Sequence, residues 1–223
     1  PIAGGAIRRV VDSDMRSSDG TKFVRFGRAS IGIRRIVFRA QTEIHEGIYA
    51  LHDDKPEIIR LIDDRTRLDA RRKDGGITPG YYSIYDNPVI GLTQVYYTAR
   101  GSADPGTGAN AVFRFVRFLV ADHLSIVGGY PDRHVRMLGL SAAANSSKVA
   151  IKIDQPGTGY AGILIPGSGR VSAVVSTRNG LAGVGKYQSF GAFSFDDSGL
   201  AFMAIARGVM VIGSTPPPYA AVY

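Results

Sequence analysis

The stretch A-G-I-L-I-P-G at residues 161–167 decides the fold, because its pattern occurs four times in the chain. A small residue is followed by two or three large apolar residues, which is typical of a buried strand that ends in a turn. The other copies are E-G-I-Y-A-L at 46–51, N-A-V-F-R-F at 110–115 and R-G-V-M-V-I-G at 207–213. Such self-similarity indicates a repeat architecture.

Further apolar elements accompany these copies in a fixed order. One element directly precedes each copy: I-V-F-R-A at 36–40, V-Y-Y-T-A at 95–99, V-A-I-K-I at 149–153 and L-A-F-M-A at 200–204. An aromatic or apolar stretch comes before that element, at 23–31, 81–90, 135–142 and 187–195. A fourth element follows the first three copies, at 60–64, 124–128 and 171–176, and another stands near the N-terminus at 7–14.

The order of these elements predicts an all-β fold. The chain gives one N-terminal strand, three complete sets of four strands and a last set of three. An open stack would leave an unpaired strand edge, whereas a ring lets the N-terminal strand complete the final sheet. We therefore predict one domain over 1–223, a four-bladed β-propeller with four-stranded blades of about 50 residues each. The predicted blades are 22–64, 80–128, 134–177, and 186–213 completed by 7–12.

The composition limits the kinds of function. The net charge of +8 favours polyanionic partners such as acidic glycans. The absence of cysteine excludes disulfides, thiolate metal sites and a cysteine nucleophile. No apolar run approaches the ~20 residues of a transmembrane helix. We predict no cofactor, since the glycine-rich stretch at 101–108 lacks the Gly-Lys-Ser/Thr ending of a phosphate-binding loop. The sequence makes no prediction about the oligomeric state.

One segment carries a family resemblance. D-D-S-G-L-A-F at 196–202 resembles the tandem NxxGxxAF repeat of bacterial exported proteins of the choice-of-anchor type, although it is one residue shorter than that motif. In those repeats a polar turn leads into Ala-Phe, and a strand beginning Gly-Ile follows. The resemblance implies an exported β-repeat protein, extracellular or at the bacterial cell surface. It implies no catalytic residues.

In the predicted ring, the loops between second and third strands, at 41–46, 100–110 and 154–160, share one rim with the loops that lead into each first strand, at 63–76, 128–134 and 176–185. We refer to it as the basic rim. Arginine forks suit carboxylates and sulfates, and tyrosine rings offer flat faces to sugars. The sequence therefore predicts a non-catalytic protein that binds an acidic polysaccharide or other polyanion. The predicted binding residues are Arg71, Arg72, Lys73, Tyr130, Arg133, Tyr160 and Arg178. The run at 71–73 lacks neighbouring aromatics for base stacking, which disfavours nucleic acid.

Two alternatives remain open at this point. The first is a polysaccharide-cleaving hydrolase or lyase on the same rim. Its catalytic residues would be Glu43 with Asp132, or His45 and His134 with a tyrosine. The second is a purely structural surface protein whose rim is only solvated. We predict no metal site, because turn chemistry explains the aspartate doublets at 53–54, 63–64 and 196–197.

Overall fold

The computed structural model describes residues 10–55, 57–71, 77–82, 84–85, 87–91, 94–101, 109–114, 118–122, 126–127, 130–134, 137–142, 148–155, 159–166, 171–196 and 199–215. These residues form no helix, so the predicted all-β class is confirmed for them. Their strands make four sheets, antiparallel except for one parallel pair in the third sheet, and a separate hairpin. Within these ranges no helix has the length and apolar character that a membrane span requires.

The four sheets follow one another along the chain. The first sheet contains β1 (Phe23–Ile31), β2 (Arg35–Thr42), β3 (Glu46–His52) and β4 (Ile58–Asp63), in that order. The hairpin is β5 (Arg67–Arg71) with β6 (Ile77–Tyr81). The second sheet contains β7 (Ile84–Tyr85), β8 (Val89–Ile90), β9 (Val95–Gly101), β10 (Ala109–Arg114) and β11 (Phe118–Asp122).

The third sheet is larger than predicted. Its strands are β12 (Ile126–Val127), β13 (Tyr130–His134), β14 (Met137–Ala142), β15 (Val149–Gln155), β16 (Tyr160–Pro166) and β17 (Val171–Ser176). Their spatial order is β13-β12-β17-β16-β15-β14, and β12 lies parallel to β17. The fourth sheet contains β18 (Gly180–Leu181), β19 (Gly185–Asp196), β20 (Gly199–Ala206) and β21 (Val209–Thr215), in that order.

Two predicted segments differ from the observed strands. The fourth strand of the second sheet is β11, whereas the segment predicted for it, 124–128, overlaps β12 and pairs with the third sheet. The polar loop predicted to follow β4 instead contains the hairpin of β5 and β6. Its anchor is Leu68, which is fully buried in the cluster between the first and second sheets. The burial of one leucine thus fixes a segment whose composition is otherwise that of a loop.

The structure explains the small residue that begins three of the four repeated copies. Gly47, Ala111 and Gly162 each lie opposite the last residue of the fourth strand of their sheet. In each case a register shift follows one residue later in the same pair of strands. Such bulges bend and twist the strand, and here they bring the fourth strand close to the small residue. A Cβ atom on Gly47 would lie 2.2 Å from the carbonyl oxygen of Ile62.

The fourth copy uses its glycine differently. Gly208 has a φ of 76° and Arg207 a φ of 49°, and the two residues connect β20 to β21. Consecutive left-handed residues in a two-residue hairpin loop are typical of a type I′ turn, which favours glycine. The glycine of 207–213 therefore makes a turn instead of a close approach between strands.

Apolar clusters pack the sheets in chain order. One cluster joins residues of the first and second sheets, including Val37, Ile48, Tyr97 and Phe113. Another joins the third and fourth sheets around Ile163 and Phe202. The first strands also lie side by side, since β1 contacts β8, β8 contacts β14 and β14 contacts β19. The sheets therefore form a sequential stack with their first strands in one row.

The N-terminal residues lie on the first sheet. Val11 and Met15 pack against a cluster that includes Phe23, Phe38 and Tyr49, on the face turned away from the second sheet. This segment covers an apolar face that would otherwise be open to water. The first sheet thus has a partner on both faces.

The predicted closing strand at 7–12 is not formed by its described residues. Residues 10–12 have no strand structure, and residues 7–9 lie outside the described part of the chain. In the described residues β21 pairs with β20 alone. Residues 10–12 belong to the first sheet because Val11 gains burial there.

Candidate polyanion-binding rim

Two equivalent turns lie where the fourth strands of the first and third sheets end. In the first turn, D-D-R-T at 63–66, the Asp63 amide donates to Thr66 Oγ1 at 3.0 Å. The Arg65 amide donates to Asp63 Oδ1 at 3.2 Å, and the Thr66 amide to the Asp63 carbonyl at 2.9 Å. The Asp64 amide donates to the carbonyl of Glu46 at 3.1 Å. Side-chain oxygens thus satisfy the backbone donors, as in Asx-turns.

The second turn, S-T-R-N at 176–179, repeats the same four bonds. The Ser176 amide donates to Asn179 Oδ1 at 2.7 Å, and the Arg178 amide to Ser176 Oγ at 3.3 Å. The Asn179 amide donates to the Ser176 carbonyl at 2.9 Å, and the Thr177 amide to the Ala161 carbonyl at 2.8 Å. The acceptors Glu46 and Ala161 each directly precede the repeated glycine of their strand. The two turns are therefore one structural element used twice.

This element places an arginine at the same position in both sheets. Arg65 and Arg178 are each the third residue of the turn, and both are exposed. Their backbone is fixed by the bonds just described, so the start of each side chain is defined. Arg178 is one of the predicted binding residues. Arg65 lies in the predicted rim loop at 63–76 but is not among the predicted binding residues. Aligning D-D-R-T at 63–66 with S-T-R-N at 176–179 would have identified it as the equivalent of Arg178.

A buried carboxylate anchors the first turn. Asp63 is only 3% exposed, and its Oδ2 accepts from Arg60 Nη1 at 2.9 Å and Arg65 Nη2 at 3.3 Å. Its Oδ1 accepts from the Thr66 hydroxyl at 2.8 Å. Burial opposes ionisation, but the bond from Thr66 and the guanidiniums of Arg60 and Arg65 lower the pKa of Asp63 below its usual value.

Asp19 connects this network to the N-terminal segment. Its Oδ2 lies 3.2 Å from Arg60 Nη1, and its Oδ1 accepts from the hydroxyls of Ser17 and Thr21. These hydroxyl bonds, from Ser17 first and then Thr21, lower the pKa of Asp19 to about 2. The segment that covers the first sheet is thus tied to the turn that presents Arg65.

Acid should therefore loosen this connection. A carboxylate whose pKa is lower in the folded than in the unfolded state stabilises the fold above the unfolded pKa, and that contribution is lost as pH falls through the folded pKa. For Asp19 the window runs from the ordinary value of 3.8 down to about 2. We expect the melting temperature to fall between about pH 4 and 2. Melting curves across this range should show a smaller fall for Asp19→Asn; an equal fall would assign the effect to other carboxylates.

The cluster of His45, Asp63 and Asp64 beside the first turn does not suit a metal ion. Ligand atoms of His45, Asp63 and Asp64 lie within 4.8 Å of one another. However, His45 Nδ1 lies 2.7 Å from Asp64 Oδ1, in a contact that already satisfies both atoms. Both oxygens of Asp63 accept bonds from protein donors, two of them cationic. A cation would have to displace arginine, so the chemistry is that of an ion-pair network.

The residues of the predicted enzyme lie in two parts of the fold. Glu43 lies between β2 and β3 and is exposed, and His45 Nδ1 lies 2.7 Å from Asp64 Oδ1. Asp132 and His134 belong to β13, at the outer edge of the third sheet, where a rim loop was predicted. The predicted catalytic pairs stay a prediction.

The predicted binding residues other than Arg178 fall into three groups. Tyr130 and Arg133 lie in β13, and Arg71 is the last residue of β5, so these are strand and not loop residues. Arg72 and Lys73 lie outside the described residues. Tyr160 is 1% exposed and begins β16, so its ring belongs to the core and is not available to a sugar. The glycine-containing stretch before Tyr160 predicts a loop, but the residue begins a strand and its ring is buried.

Other exposed cations lie at the same strand ends as the two turns. Arg100 is the penultimate residue of β9, Lys186 is the second residue of β19 and Arg207 follows β20. Asp122 and Asp154 also lie at these ends. The second, third and fourth sheets thus each place at least one exposed cation where second strands finish and first strands start.

The opposite ends of the first sheet show a different charge pattern. There a cleft of about 670 Å³ has an apolar floor that includes Met15 and Leu51. Its exposed Arg34 is paired with Asp53 at 3.5 Å and Asp54 at 3.3 Å. The charge of Arg34 is thus balanced by two adjacent carboxylates, which makes this part of the surface a weaker attractor for a polyanion.

Comparisons with protein-family models, curated proteins and solved structures gave no match for this chain. The assignment of function therefore rests on the chemistry of the basic rim. The features that bear on it are the two equivalent turns and the exposed cations beside them.

Proposed function

We propose that the protein is a non-catalytic binding protein for an acidic polysaccharide or a similar polyanion, and that the basic rim is its binding surface. The observation that carries this proposal is the equivalence of Arg65 and Arg178. Two sheets present a guanidinium through the same turn and the same backbone bonds. A repeated, backbone-fixed cation suits a ligand that repeats its own charges along a chain.

The chemistry of the arginine side chain supports a carboxylated or sulfated ligand. A guanidinium offers donors in a planar fork that matches these groups bidentately, whereas lysine acts as a point charge. Arg65 is 55% exposed while contacting Asp63, so it retains surface for a second partner. Such contacts lie in water and are screened by salt, so binding should weaken steeply as ionic strength rises.

The test compares charge-conserving variants on a heparin column. We expect the double variant Arg65→Lys/Arg178→Lys to elute at lower salt than the wild type, with affinity reduced on the order of tenfold because the forks are lost. The matched control is Arg34→Lys/Arg114→Lys, two exposed arginines at the opposite strand ends. It carries the same net charge and should elute like the wild type.

Two outcomes would contradict this proposal. Equal elution of the rim variant and the wild type would show that the two turns are not the binding site. Equal retention of the protein on heparin and DNA, unaffected by either variant, would reduce the effect to bulk charge. A panel of uronate-containing and sulfated glycans then identifies the preferred acidic group, because sulfate and carboxylate differ in their geometry.

The arrangement of the sheets as blades of a four-bladed propeller, with the ring open between the fourth sheet and the first, is part of the same proposal. The row of first strands and the stacking in chain order support it. A compact ring of this length has a radius of gyration near 17 Å, and an open stack a larger one. Small-angle scattering of the monomer separates the two. Export to the cell surface remains the expectation that the family resemblance gives.

A further inference from the structure

The outer face of the fourth sheet, turned away from the third, is apolar and exposed. Met203 lies opposite Ile212, and Ile205 lies opposite Met210, in the pairing of β20 with β21. Ile212 is 82% exposed, Met210 65% and Ile205 41%. We call these four residues the outer patch. Contiguous apolar groups of this kind on a surface mark interaction sites.

The first sheet, at the other end of the stack, has a covered outer face and a charged edge strand. The fourth sheet has neither in the described residues. Residues of the N-terminal segment cover the outer face of the first sheet. The edge strand β1 carries Arg25 and Arg28, and the amide of Arg28 donates to Asn87 Oδ1 at 2.7 Å. The edge strand β21 has neither charge nor proline over Val209–Thr215. Charges and prolines usually protect strand edges from pairing with other chains. The edge strand β21 lacks this protection.

We propose that the outer face of the fourth sheet packs against the same face of a second copy of this chain, with the strands of the two copies antiparallel. Sheets within the chain already pack through their apolar faces, and a second copy continues that stack. Around the outer patch the outward positions of the sheet are Ser189, Ser194, Ala201 and Ser214. A copy of this face therefore meets no like charge at its centre.

The charges at the ends of β19 favour this partner. The second residue of β19 is Lys186 and its last is Asp196. A twofold axis that reverses the strand direction brings the Lys186 end of one copy over the Asp196 end of the other. An unrelated acidic partner would gain nothing from the uncharged centre of the face. The face is three strands wide and about seven residues long, roughly 14 Å by 24 Å at the usual strand dimensions, so its area of roughly 340 Å² is smaller than the ~800 Å² per partner of a standard interface. The dimer should therefore be weak and depend on concentration.

Analytical ultracentrifugation of the full chain tests the proposal. We expect the wild type to pass from monomer to dimer as its concentration rises to ~500 µM, the range of a small interface. Ile212→Lys should remain monomeric, because two lysines would be buried against each other. The matched control is Ile31→Lys, which changes a residue of β1 that is 76% exposed, and it should dimerise like the wild type.

Met210→Ser is a second test variant that introduces no charge into the outer patch. It should weaken the dimer at least tenfold. Circular dichroism of each variant checks that the fold is retained. A wild type that stays monomeric over the whole range would overturn the proposal, as would a dimer that Ile212→Lys leaves intact. If the chain's own N-terminal residues covered the outer patch, the wild type would stay monomeric, which is the first of these two results.

Discussion

Replacing Gly47 by alanine should destabilise the protein by about 3 kcal/mol, which at this chain length lowers the melting temperature by roughly 6–12 °C. The added Cβ atom would lie 2.2 Å from the carbonyl oxygen of Ile62 and 3.1 Å from the Cα atom of Asp63. Both neighbours are backbone atoms, so relief requires β3 and β4 to move apart at the bulge. That movement also disturbs the buried Asp63 turn.

The control for this prediction is Gly191→Ala in β19. There the nearest heavy atom to a new Cβ is the Cβ of Met203 at 3.5 Å, an ordinary contact. We expect this variant to melt within a degree or two of the wild type. Thermal unfolding followed by circular dichroism compares the two. Equal melting temperatures for both variants would show that the close approach at Gly47 relaxes without cost.

Asp63→Ala should be of similar severity, with a loss of about 3 kcal/mol in the free energy of unfolding. The change leaves Arg60 and Arg65 without their shared carboxylate and removes the acceptor of the Thr66 hydroxyl. Both arginines retain some access to water, which keeps the loss below the upper end for buried pairs. Urea denaturation measures the effect.

Two further variants distinguish the loss of charge at Asp63 from the loss of its hydrogen-bond acceptor, and a buried carboxylate from an exposed one. Asp63→Asn keeps an oxygen acceptor for Thr66 but removes the charge, so an intermediate loss of about 1–2 kcal/mol is expected. Asp53→Ala removes an exposed partner of Arg34 and should change stability by less than about 0.5 kcal/mol. If Asp63→Ala were as mild as Asp53→Ala, the network would contribute nothing measurable to the fold.

The sequence was sufficient to predict most of the strands. The second strands β2, β9, β15 and β20 and the third strands β3, β10, β16 and β21 fall on the predicted elements. Alternating apolar residues and the repeated small residue made them visible, because both reflect burial within one strand and its neighbours. The same reasoning failed for β5, which is polar apart from Leu68 and Ala70 and is held by tertiary burial.

The candidate site was less predictable from the sequence, because it also depends on burial by segments distant in the chain. Arg178 was identified as a rim residue from its loop, but Tyr160 was taken for a ligand-facing ring and is buried. The contact between Asp19 and Arg60 joins residues 41 positions apart. No local pattern announces such a pairing, because it depends on how the N-terminal segment folds over the first sheet.

The continuity of each sheet along the chain has a consequence for folding kinetics. The four sheets are built from the consecutive stretches 23–63, 84–122, 126–176 and 180–215. Most contacts between strands of one sheet thus join consecutive strands, which lowers the contact order relative to an all-β fold with non-local strand pairing and favours rapid folding. Each sheet can also be completed as the chain emerges from a ribosome, before the next sheet has been made. The molecule can therefore assemble from its N-terminus onward, with each finished sheet serving as the template on which the next one condenses.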